Sequence, residues 1–280
     1  MRPQPTPPHA GEDATGPADA RSRRPGCRAR PAGGEHGVQR GDARAGDGGH
    51  GSAVESAAAQ VAEATQALGA AGQQDLIWGH VAMRDPEGRG LWIKAAGLGF
   101  EETTGERVML VSWNGDVVAG TGRRPAEYAL HAGILRRRPD VDWVAHTHPG
   151  AVNVFTSLNV PLRAISHDGV LFCQPQIPRF PDGDLITTAE RGRLLADSIG
   201  DHVACLLPAH GLVCVGASAA QAVMHAVLLA RACALAVAAA AAGGPAVWSS
   251  DDELSAKRAS AWPQAQLEAG YAYLKRKAAR

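Results

Sequence analysis

The residues Ala145-His146-Thr147-His148-Pro149 complete a strand-like apolar run that starts at Val141. On an extended chain the side chains at i and i+2 leave the same face, so His146 and His148 can reach one metal ion. A third histidine, His210, lies beside Gly211 where another strand is predicted to end. Strand-end histidines can simply form hydrogen bonds, but three of them in this placement favour a metal site.

A set of three neutral imidazoles leaves coordination positions open, which is typical of catalytic rather than structural metal sites. Imidazole ligands suit Fe2+, Mn2+ or Zn2+, and the sequence leaves this choice open. Glu127 follows Pro125, which opens a predicted helix, and it either interacts with the helix dipole or acts as a fourth ligand or a general acid/base. His131, one turn later, is predicted to brace the helix or Glu127.

Turn signals divide the first half of the chain into a helix and hairpins. The helix is predicted from Val54 to Leu68, where glycines follow. Tight turns at Asp85 to Gly88 and at Asn114-Gly115 predict two hairpins. His210-Gly211 is predicted at the tip of a third hairpin, so His210 lies at a strand end, as His146 does.

The segment Ser166-His167-Asp168-Gly169 is flanked by two apolar runs, which predict strands over Leu162 to Ile165 and Val170 to Cys173. A helix is predicted over Asp184 to Ile199.

A long alanine-rich helix is predicted from Ala219 to about Ala242, capped by Ser218. Its composition approaches that of a membrane span, but His225 and Arg231 interrupt it and alanine is only weakly lipophilic. We therefore expect a helix packed in the core or in a subunit interface. Residues 251–280 predict one further helix or two short ones.

Composition excludes several classes of partner. Lys plus Arg and Asp plus Glu are 28 each, so no net field recruits nucleic acid or an acidic membrane. A hydrophobic share of 45% in 280 residues supports a large core. The five cysteines show no CxxC pairing, which favours a reducing cytoplasm.

Residues 1–50 differ from the rest, because they are rich in Gly and Pro and carry almost no large apolar side chains. Such a segment buries too little surface to offset its ordering entropy, so it is predicted to be a disordered extension. A start codon assigned too far upstream is an equally good interpretation. Residues 51–280 are predicted to form the catalytic domain.

Several motifs, in order and spacing, resemble the class II aldolase/adducin family. They are Arg124-Pro125-Ala126-Glu127, His131, Arg138-Pro139-Asp140-Val141, His146-Thr147-His148-Pro149 and Ala209-His210-Gly211. The resemblance implies a three-layer α/β/α sandwich with a central, mostly antiparallel sheet, assembled as a homotetramer. It also implies a divalent metal on His146, His148 and His210, with Glu127 as ligand or acid/base.

Departures from the family pattern indicate the substrate class. Sugar-phosphate aldolases of the family carry Gly-Asn-x-Ser and Pro-Ser-Gly near the phosphate, where this chain has Gly79-His80-Val81-Ala82 and Ala95-Ala96-Gly97. Each lost hydrogen bond to the phosphate would cost about 1 to 3 kcal/mol. A phosphorylated sugar is therefore disfavoured.

Gly79-His80, residues 97–102 and Ser166-His167-Asp168-Gly169 resemble another branch of the family instead. That branch includes a metal-dependent decarboxylase of a hydroxypyridine dicarboxylate and the iron-dependent oxygenases of aminocoumarin antibiotic biosynthesis, which act on prenylated hydroxyphenylpyruvate. We therefore expect a decarboxylase of an aromatic or 2-oxo acid, oxidative or not, with Glu127 or His80 returning a proton to carbon.

The remaining expectations concern substrate contacts and alternatives. His167 and Asp168 are candidates to orient an imidazole or bind substrate, and Arg179 to pair with a substrate carboxylate. Tyr271 and Tyr273 are candidates to reach a neighbouring subunit's site. An aldolase or dehydratase of a small unphosphorylated carbonyl compound, and a non-enzymatic adducin-like scaffold, are the alternative functions.

Overall fold

The structure, a computed structural model, describes residues 48–280, and the side chains from residue 56 onward except that of residue 259. The predicted disordered extension lies outside the described residues apart from residues 48–50. Those three residues belong to the first helix, α1 (Gly48–Ala70), which starts earlier than the predicted Val54.

Within the described residues, one sheet contains seven strands, and every pairing in it is antiparallel. The strands are β1 (His80–Arg84), β2 (Gly90–Lys94), β3 (Val108–Ser112), β4 (Val117–Ala119), β5 (Trp143–Thr147), β6 (Ala204–Leu207) and β7 (Gly211–Gly216). Their order across the sheet is β4-β3-β2-β1-β5-β7-β6. The three predicted hairpins are confirmed, and β5 lies between β1 and β7.

Helices cover both faces of this sheet. After α1 they are α2 (Tyr128–Arg137), α3 (Gly150–Ser157), α4 (Val170–Cys173), α5 (Ala189–Ile199), α6 (Ala219–Ala241), α7 (Asp251–Ser260) and α8 (Gln264–Ala278). One apolar cluster joins α1, α3, α6 and α8 to the sheet, and another joins α2 and α5 to the opposite face. The predicted three-layer α/β/α sandwich is confirmed.

Successive side chains along each strand point to opposite faces of the sheet and so contribute to the two apolar clusters in turn. On β5, Trp143 and Ala145 pack in the cluster with α6, whereas Val144 packs in the cluster with α2. All five residues of β5 are buried, because helices cover both faces. His146 follows the same alternation and therefore lies on the α2 side of the sheet.

The helix α6 is long and apolar enough to cross a membrane, with a mean hydropathy of 2.0 in its most apolar window. More than half of that window, 56%, is buried in the fold. Ser218 caps the helix by accepting a hydrogen bond from the backbone N–H of Gln221. The packing of α6 against the sheet agrees with the predicted core helix.

The prediction of a strand on either side of Ser166 to Gly169 is wrong. Residues 162–165 lie outside regular elements, residues 167–169 form a short 3-10 helix, and α4 takes the place of the second strand. The side-chain amide of Gln176 bonds both the N–H and the C=O of Leu162, so this backbone needs no sheet partner. Four apolar residues fit one buried helical turn as well as a strand.

The helix predicted from Asp184 is shorter, because α5 starts at Ala189 with Thr188 as its cap. This helix crosses α2 closely at a pair of glycines. A Cβ at Gly192 would collide with the carbonyl oxygen of Ala129, and one at Gly133 would collide with the backbone of Gly192. The close crossing places the loop before α5 beside the start of α2.

Candidate metal centre

Four side chains from distant parts of the sequence converge at one end of the sheet. His146 is on β5, His148 directly follows that strand, His210 lies in the turn between β6 and β7, and Glu127 directly precedes α2. Their potential ligand atoms all lie within 4.8 Å of one another. The structure thus brings together the residues that the sequence singled out, with Glu127 at the cap position rather than in the first turn.

Hydrogen bonds fix which nitrogen of each strand histidine faces the centre. Nδ1 of His146 donates to the carbonyl oxygen of Leu212 at 2.8 Å, and Nδ1 of His148 donates to Oδ2 of Asp75 at 3.1 Å. Each Nε2 then carries a lone pair, and the two Nε2 atoms lie 2.9 Å apart. Carboxylate or carbonyl partners of this kind are typical of metal-binding histidines.

The separations between these atoms fit a shared metal ion. Ligand atoms about 2.1 Å from a metal lie about 2.9 Å apart at a right angle and about 3.4 Å apart at a tetrahedral angle. Oε2 of Glu127 is 3.3 Å from Nε2 of His146 and 3.4 Å from Nε2 of His210. Both ring nitrogens of His210 are buried without a hydrogen-bond partner in the described part of the chain. Three nitrogens and one oxygen suit Zn2+, Fe2+ or Mn2+.

Glu127 is held as a carboxylate. Its Oε1 accepts a hydrogen bond from the backbone N–H of Ile186 at 2.9 Å, in the loop before α5. Burial alone would raise the pKa of Glu127, but the contacts with His146 and His210 outweigh it and hold this pKa well below its usual range. The side chain therefore contributes a negative charge to the centre.

His210 is positioned by a strained turn. The preceding residue, Ala209, has φ of 54°, a left-handed conformation that costs an alanine roughly 1 kcal/mol or more. The N–H of Ala209 donates to Oγ1 of Thr156 at 3.2 Å, which holds the turn against α3. Gly211 completes the turn, since a Cβ there would lie 2.9 Å from Cδ2 of His148.

His80 stands directly beside the centre, because it pairs in register with His146 across β1 and β5. Its Nδ1 lies 2.7 Å from Nε2 of His131, so the contact of His131 is with His80 rather than with Glu127. Burial lowers the pKa of His80 well below its ordinary value and that of His131 to about 3. Both imidazoles are therefore neutral at pH 7, and within the described residues Nε2 of His80 has no hydrogen-bond partner and is open to a substrate.

A pocket of about 500 Å³ opens onto this centre. Its lining includes His80, Glu127, His148 and His210, together with three charged residues that sequence reasoning missed: Asp75, Lys94 and Arg123. The sequence held one signal for these residues, because Lys94 ends the apolar strand Leu91-Trp92-Ile93. The structure buries this lysine, which is 1% exposed. Trp78 and Leu185, both more than half exposed, add apolar surface to the lining.

The predicted substrate-binding residues lie elsewhere in the chain. The guanidinium of Arg179 donates to three backbone carbonyls at and after the end of α3, those of Thr156, Leu158 and Val160. Asp168 forms an ion pair with Arg231 at 3.0 Å. None of Arg179, His167 and Asp168 lines the pocket.

The aromatic candidates in α8 are also outside the pocket of this chain. Tyr271 is 9% exposed and packs in the core cluster with α6, whereas Tyr273 is 57% exposed. Contact of either with substrate would need a neighbouring subunit, and this remains a prediction, as do the substrate roles of His167, Asp168 and Arg179.

The profile of the Class II Aldolase and Adducin N-terminal domain matches residues 59–237. The chain belongs to this family. The resemblance inferred from its motifs is thereby confirmed, and the cluster of Glu127 with three histidines lies within the matched region.

Relatives with named activities extend the comparison. The chain is 31% identical over 196 residues to a 3,4-dihydroxyphthalate decarboxylase of Terrabacter sp., covering 66% of this chain and 81% of the relative. It is 29% identical over 174 residues to a 4-hydroxy-3-prenylphenylpyruvate oxygenase/4-hydroxy-3-prenylbenzoate synthase of Streptomyces roseochromogenus, covering 61% and 63%.

Among solved structures, L-fuculose 1-phosphate aldolase from Glaciozyma antarctica aligns with a TM-score of 0.72 at 21% identity, covering 84% of this chain and 93% of the aldolase. At this identity the likeness shows the fold. Family membership and the Glu/His cluster together support an enzyme of the class II aldolase type acting on a small molecule.

Proposed function

We propose that this class II aldolase/adducin protein is a divalent-metal-dependent decarboxylase of an aromatic or 2-oxo carboxylic acid. The observation that carries the proposal is the convergence of Glu127 with three histidines at the base of a pocket that also presents His80. The relative named as a decarboxylase of an aromatic acid supports the same reaction class.

The ligand set would be His146, His148, His210 and Glu127. A divalent metal bound there supplies a Lewis acid that polarises the substrate's oxygens. Asp75 and the carbonyl of Leu212 keep Nε2 of His148 and His146 directed at the centre. Glu127 provides the negative charge that increases affinity for a cation.

Decarboxylation breaks the bond between the carboxylate carbon and its neighbour, and the electron pair stays on the neighbouring carbon. That carbon then needs a proton. Oε1 of Glu127 accepts the N–H of Ile186 and Oε2 faces the Nε2 atoms of His146 and His210, where the metal would lie. Nε2 of His80, in contrast, has no hydrogen bond with the residues that the structure describes. Neutral His80 can accept a proton from an acidic hydroxyl of the substrate and return it to the carbon after carbon dioxide leaves.

Oxidative decarboxylation is the second candidate, favoured by the similarity to the Streptomyces oxygenase. The same ligands accept Fe2+, and the reaction would then consume dioxygen. An aldolase or dehydratase of a small unphosphorylated carbonyl compound is the third. A scaffold role has no chemical need for four converging ligands, so the cluster opposes it.

The enzyme that we propose is cytoplasmic and forms a homotetramer. Three cysteines, Cys205, Cys214 and Cys233, are buried as free thiols, which suits the reducing cytoplasm. We propose a homotetramer, in which the exposed apolar residues Ile77 and Trp78 at the pocket rim would be covered by a neighbouring subunit. Gel filtration with light scattering tests this assembly.

The function is tested on protein purified without oxygen. Metal content is measured first, and carbon dioxide release and oxygen uptake are then followed with aromatic acids and aryl-pyruvates. We expect about one metal per chain and carbon dioxide release that His148→Ala abolishes. Release without oxygen uptake supports the simple decarboxylase, and release with stoichiometric uptake supports the oxygenase. Tight metal binding with no release from any acid would reject both.

A further inference from the structure

We infer that Arg123, assisted by Lys94, binds a carboxylate of the substrate that is not the one released. This inference rests on the proposed function, because it identifies how the same pocket selects its acid. It also reassigns to Arg123 the carboxylate contact that the sequence suggested for Arg179, whose guanidinium is occupied by backbone carbonyls.

Arg123 is a pocket-lining cation whose side chain is not paired with any other residue that the structure describes. It lines the pocket, is exposed, and its guanidinium has no hydrogen bond or ion pair with the residues that the structure describes. Its backbone is held, because its carbonyl accepts a hydrogen bond from the N–H of Ala96 at 2.8 Å. A planar guanidinium can bind a carboxylate through two parallel hydrogen bonds.

The neighbouring arginine does not share this placement. The guanidinium of Arg124 stacks over the ring of Tyr128, 4.8 Å from its centroid, and it lines a different pocket, between β3, α2 and α5. Two consecutive arginines are therefore directed to different surfaces, and only the first one lines the pocket at the metal centre.

Lys94 is a second cation among the residues that line this pocket. It is 1% exposed, and its Nζ donates to the carbonyl oxygens of Ile77 at 3.1 Å and Leu98 at 2.6 Å. An ammonium has three N–H donors, so one remains after these two contacts. Burial lowers the pKa of Lys94 to about 8, and it therefore still carries its charge in most molecules at pH 7.

The lining charges indicate how much negative charge the pocket accepts. Asp75 and Glu127 contribute two negative charges, and Lys94 and Arg123 contribute two positive ones. These four charges cancel, so a divalent cation bound to the histidines would give the pocket a net charge of +2. An acid with two anionic groups balances this charge, whereas a monocarboxylate leaves one positive charge uncompensated.

The two cations are also separated from the ligands in the fold. Lys94 ends β2 and Arg123 lies in the loop between β4 and α2, whereas the histidines come from β5 and the β6–β7 turn. In the sheet order, β2 and β5 lie on opposite sides of β1. We therefore place one carboxylate of the substrate at the metal centre and the other at Lys94 and Arg123.

The test uses zinc-loaded protein and two probes, phthalate and benzoate, which differ by one carboxylate. Binding is measured by calorimetry. We expect wild-type protein to bind phthalate about tenfold or more tightly than benzoate, since a charge-assisted bidentate contact is gained. Arg123→Gln should remove this preference without changing zinc content, and Arg124→Gln should retain it.

Other outcomes overturn the inference. Equal affinity of wild-type protein for the two probes, a preference that survives in Arg123→Gln, or an equal loss in Arg124→Gln would each contradict it. Arg123→Lys gives a second measurement, because it keeps the charge and loses the planar fork, so the preference should fall only in part.

Failure of this inference and failure of the proposed function are distinguishable. If phthalate binding depends on Arg123 but no acid releases carbon dioxide, the carboxylate site stands and the proposed reaction falls. If carbon dioxide is released but Arg123→Gln changes the KM of mono- and dicarboxylic substrates equally, the reaction stands and the carboxylate site falls.

Discussion

Oδ2 of Asp75 lies 3.1 Å from Nδ1 of His148, a contact between residues 73 positions apart in the sequence. This hydrogen bond leaves Nε2 of His148 unprotonated and aims it at the other ligands. The carboxylate also makes the imidazole a stronger donor to a cation. Within the described residues Asp75 forms no hydrogen bond with Glu127, His146 or His210, so its effect on the centre passes through His148.

Replacing Asp75 by Asn should therefore weaken metal binding about 10- to 100-fold, because the amide can still accept the hydrogen bond but carries no charge. Competition with a chromogenic chelator measures the change. Asp252→Asn, an exposed position in the first turn of α7, is the matched control and should leave the affinity unaltered. Wild-type affinity in Asp75→Asn would show that the contact does not tune the centre.

His80→Gln should lower kcat about 10²- to 10⁴-fold while the metal content is retained, since an amide cannot transfer the proton. Glu127→Gln provides the contrast. The Gln side chain can still accept the hydrogen bond from the N–H of Ile186, but it carries no charge. Glu127→Gln should therefore lower the metal affinity, which His80→Gln should leave unchanged. Metal loss in His80→Gln would instead assign His80 to the ligand set. Steady-state kinetics and metal analysis on the same preparations separate these outcomes.

Gly211→Ala should destabilise the fold by about 1 to 3 kcal/mol and weaken metal binding, because the new Cβ meets the carbonyl oxygen of Thr147 and the ring of His148. Gly150→Ala is the control. A Cβ at Gly150, the first residue of α3, meets nothing within 4 Å and should stabilise the helix slightly. Thermal unfolding and chelator competition measure both effects. Unchanged metal affinity in Gly211→Ala would mean that the turn can move without displacing His148.

The pH dependence of stability follows from buried neutral His131. Burial lowers its pKa from 6.5 to about 3, so below pH 6.5 the unfolded chain binds a proton that the folded chain does not. The stabilisation is complete above pH 6.5 and is lost as the pH falls toward 3. In metal-free protein, His131→Gln should reduce the slope of unfolding free energy by about 1.4 kcal/mol per pH unit. Urea unfolding between neutral pH and about pH 5 measures it, and an unchanged slope would contradict the assignment.

The convergence of the three histidines was predictable because each lies beside a strand end, and strand ends are marked by local signals. Apolar alternation placed His146 and His148 on one face, and the turn at Gly211 placed His210 at a hairpin tip. The family resemblance implied a central, mostly antiparallel sheet, but the number and order of its strands were not predicted. Nothing local specifies which strands pair when they are as far apart in sequence as β1, β5 and β7.

The residues that line the pocket beyond the ligands were missed because only tertiary structure brings them together. Asp75 and Arg123 are ordinary surface residue types in loops, and no local pattern indicates that they face the centre. The substrate contact predicted for Arg179 could not be judged from sequence for the same reason, since the three carbonyls that bind its guanidinium are 19 to 23 positions away. The error at 170–173 is different, because a four-residue apolar run is ambiguous between helix and strand.

The separation of Lys94 and Arg123 from the histidine ligands has an evolutionary consequence. His146 lies in the central strand β5 and His148 directly follows it, so a substitution at either position risks the local packing as well as the proposed reaction. Arg123 lies in a loop where a codon can change without disturbing a strand. If Arg123 selects the acid, a substitution at this position would change which substrate binds while the residues of the proposed metal centre stay the same.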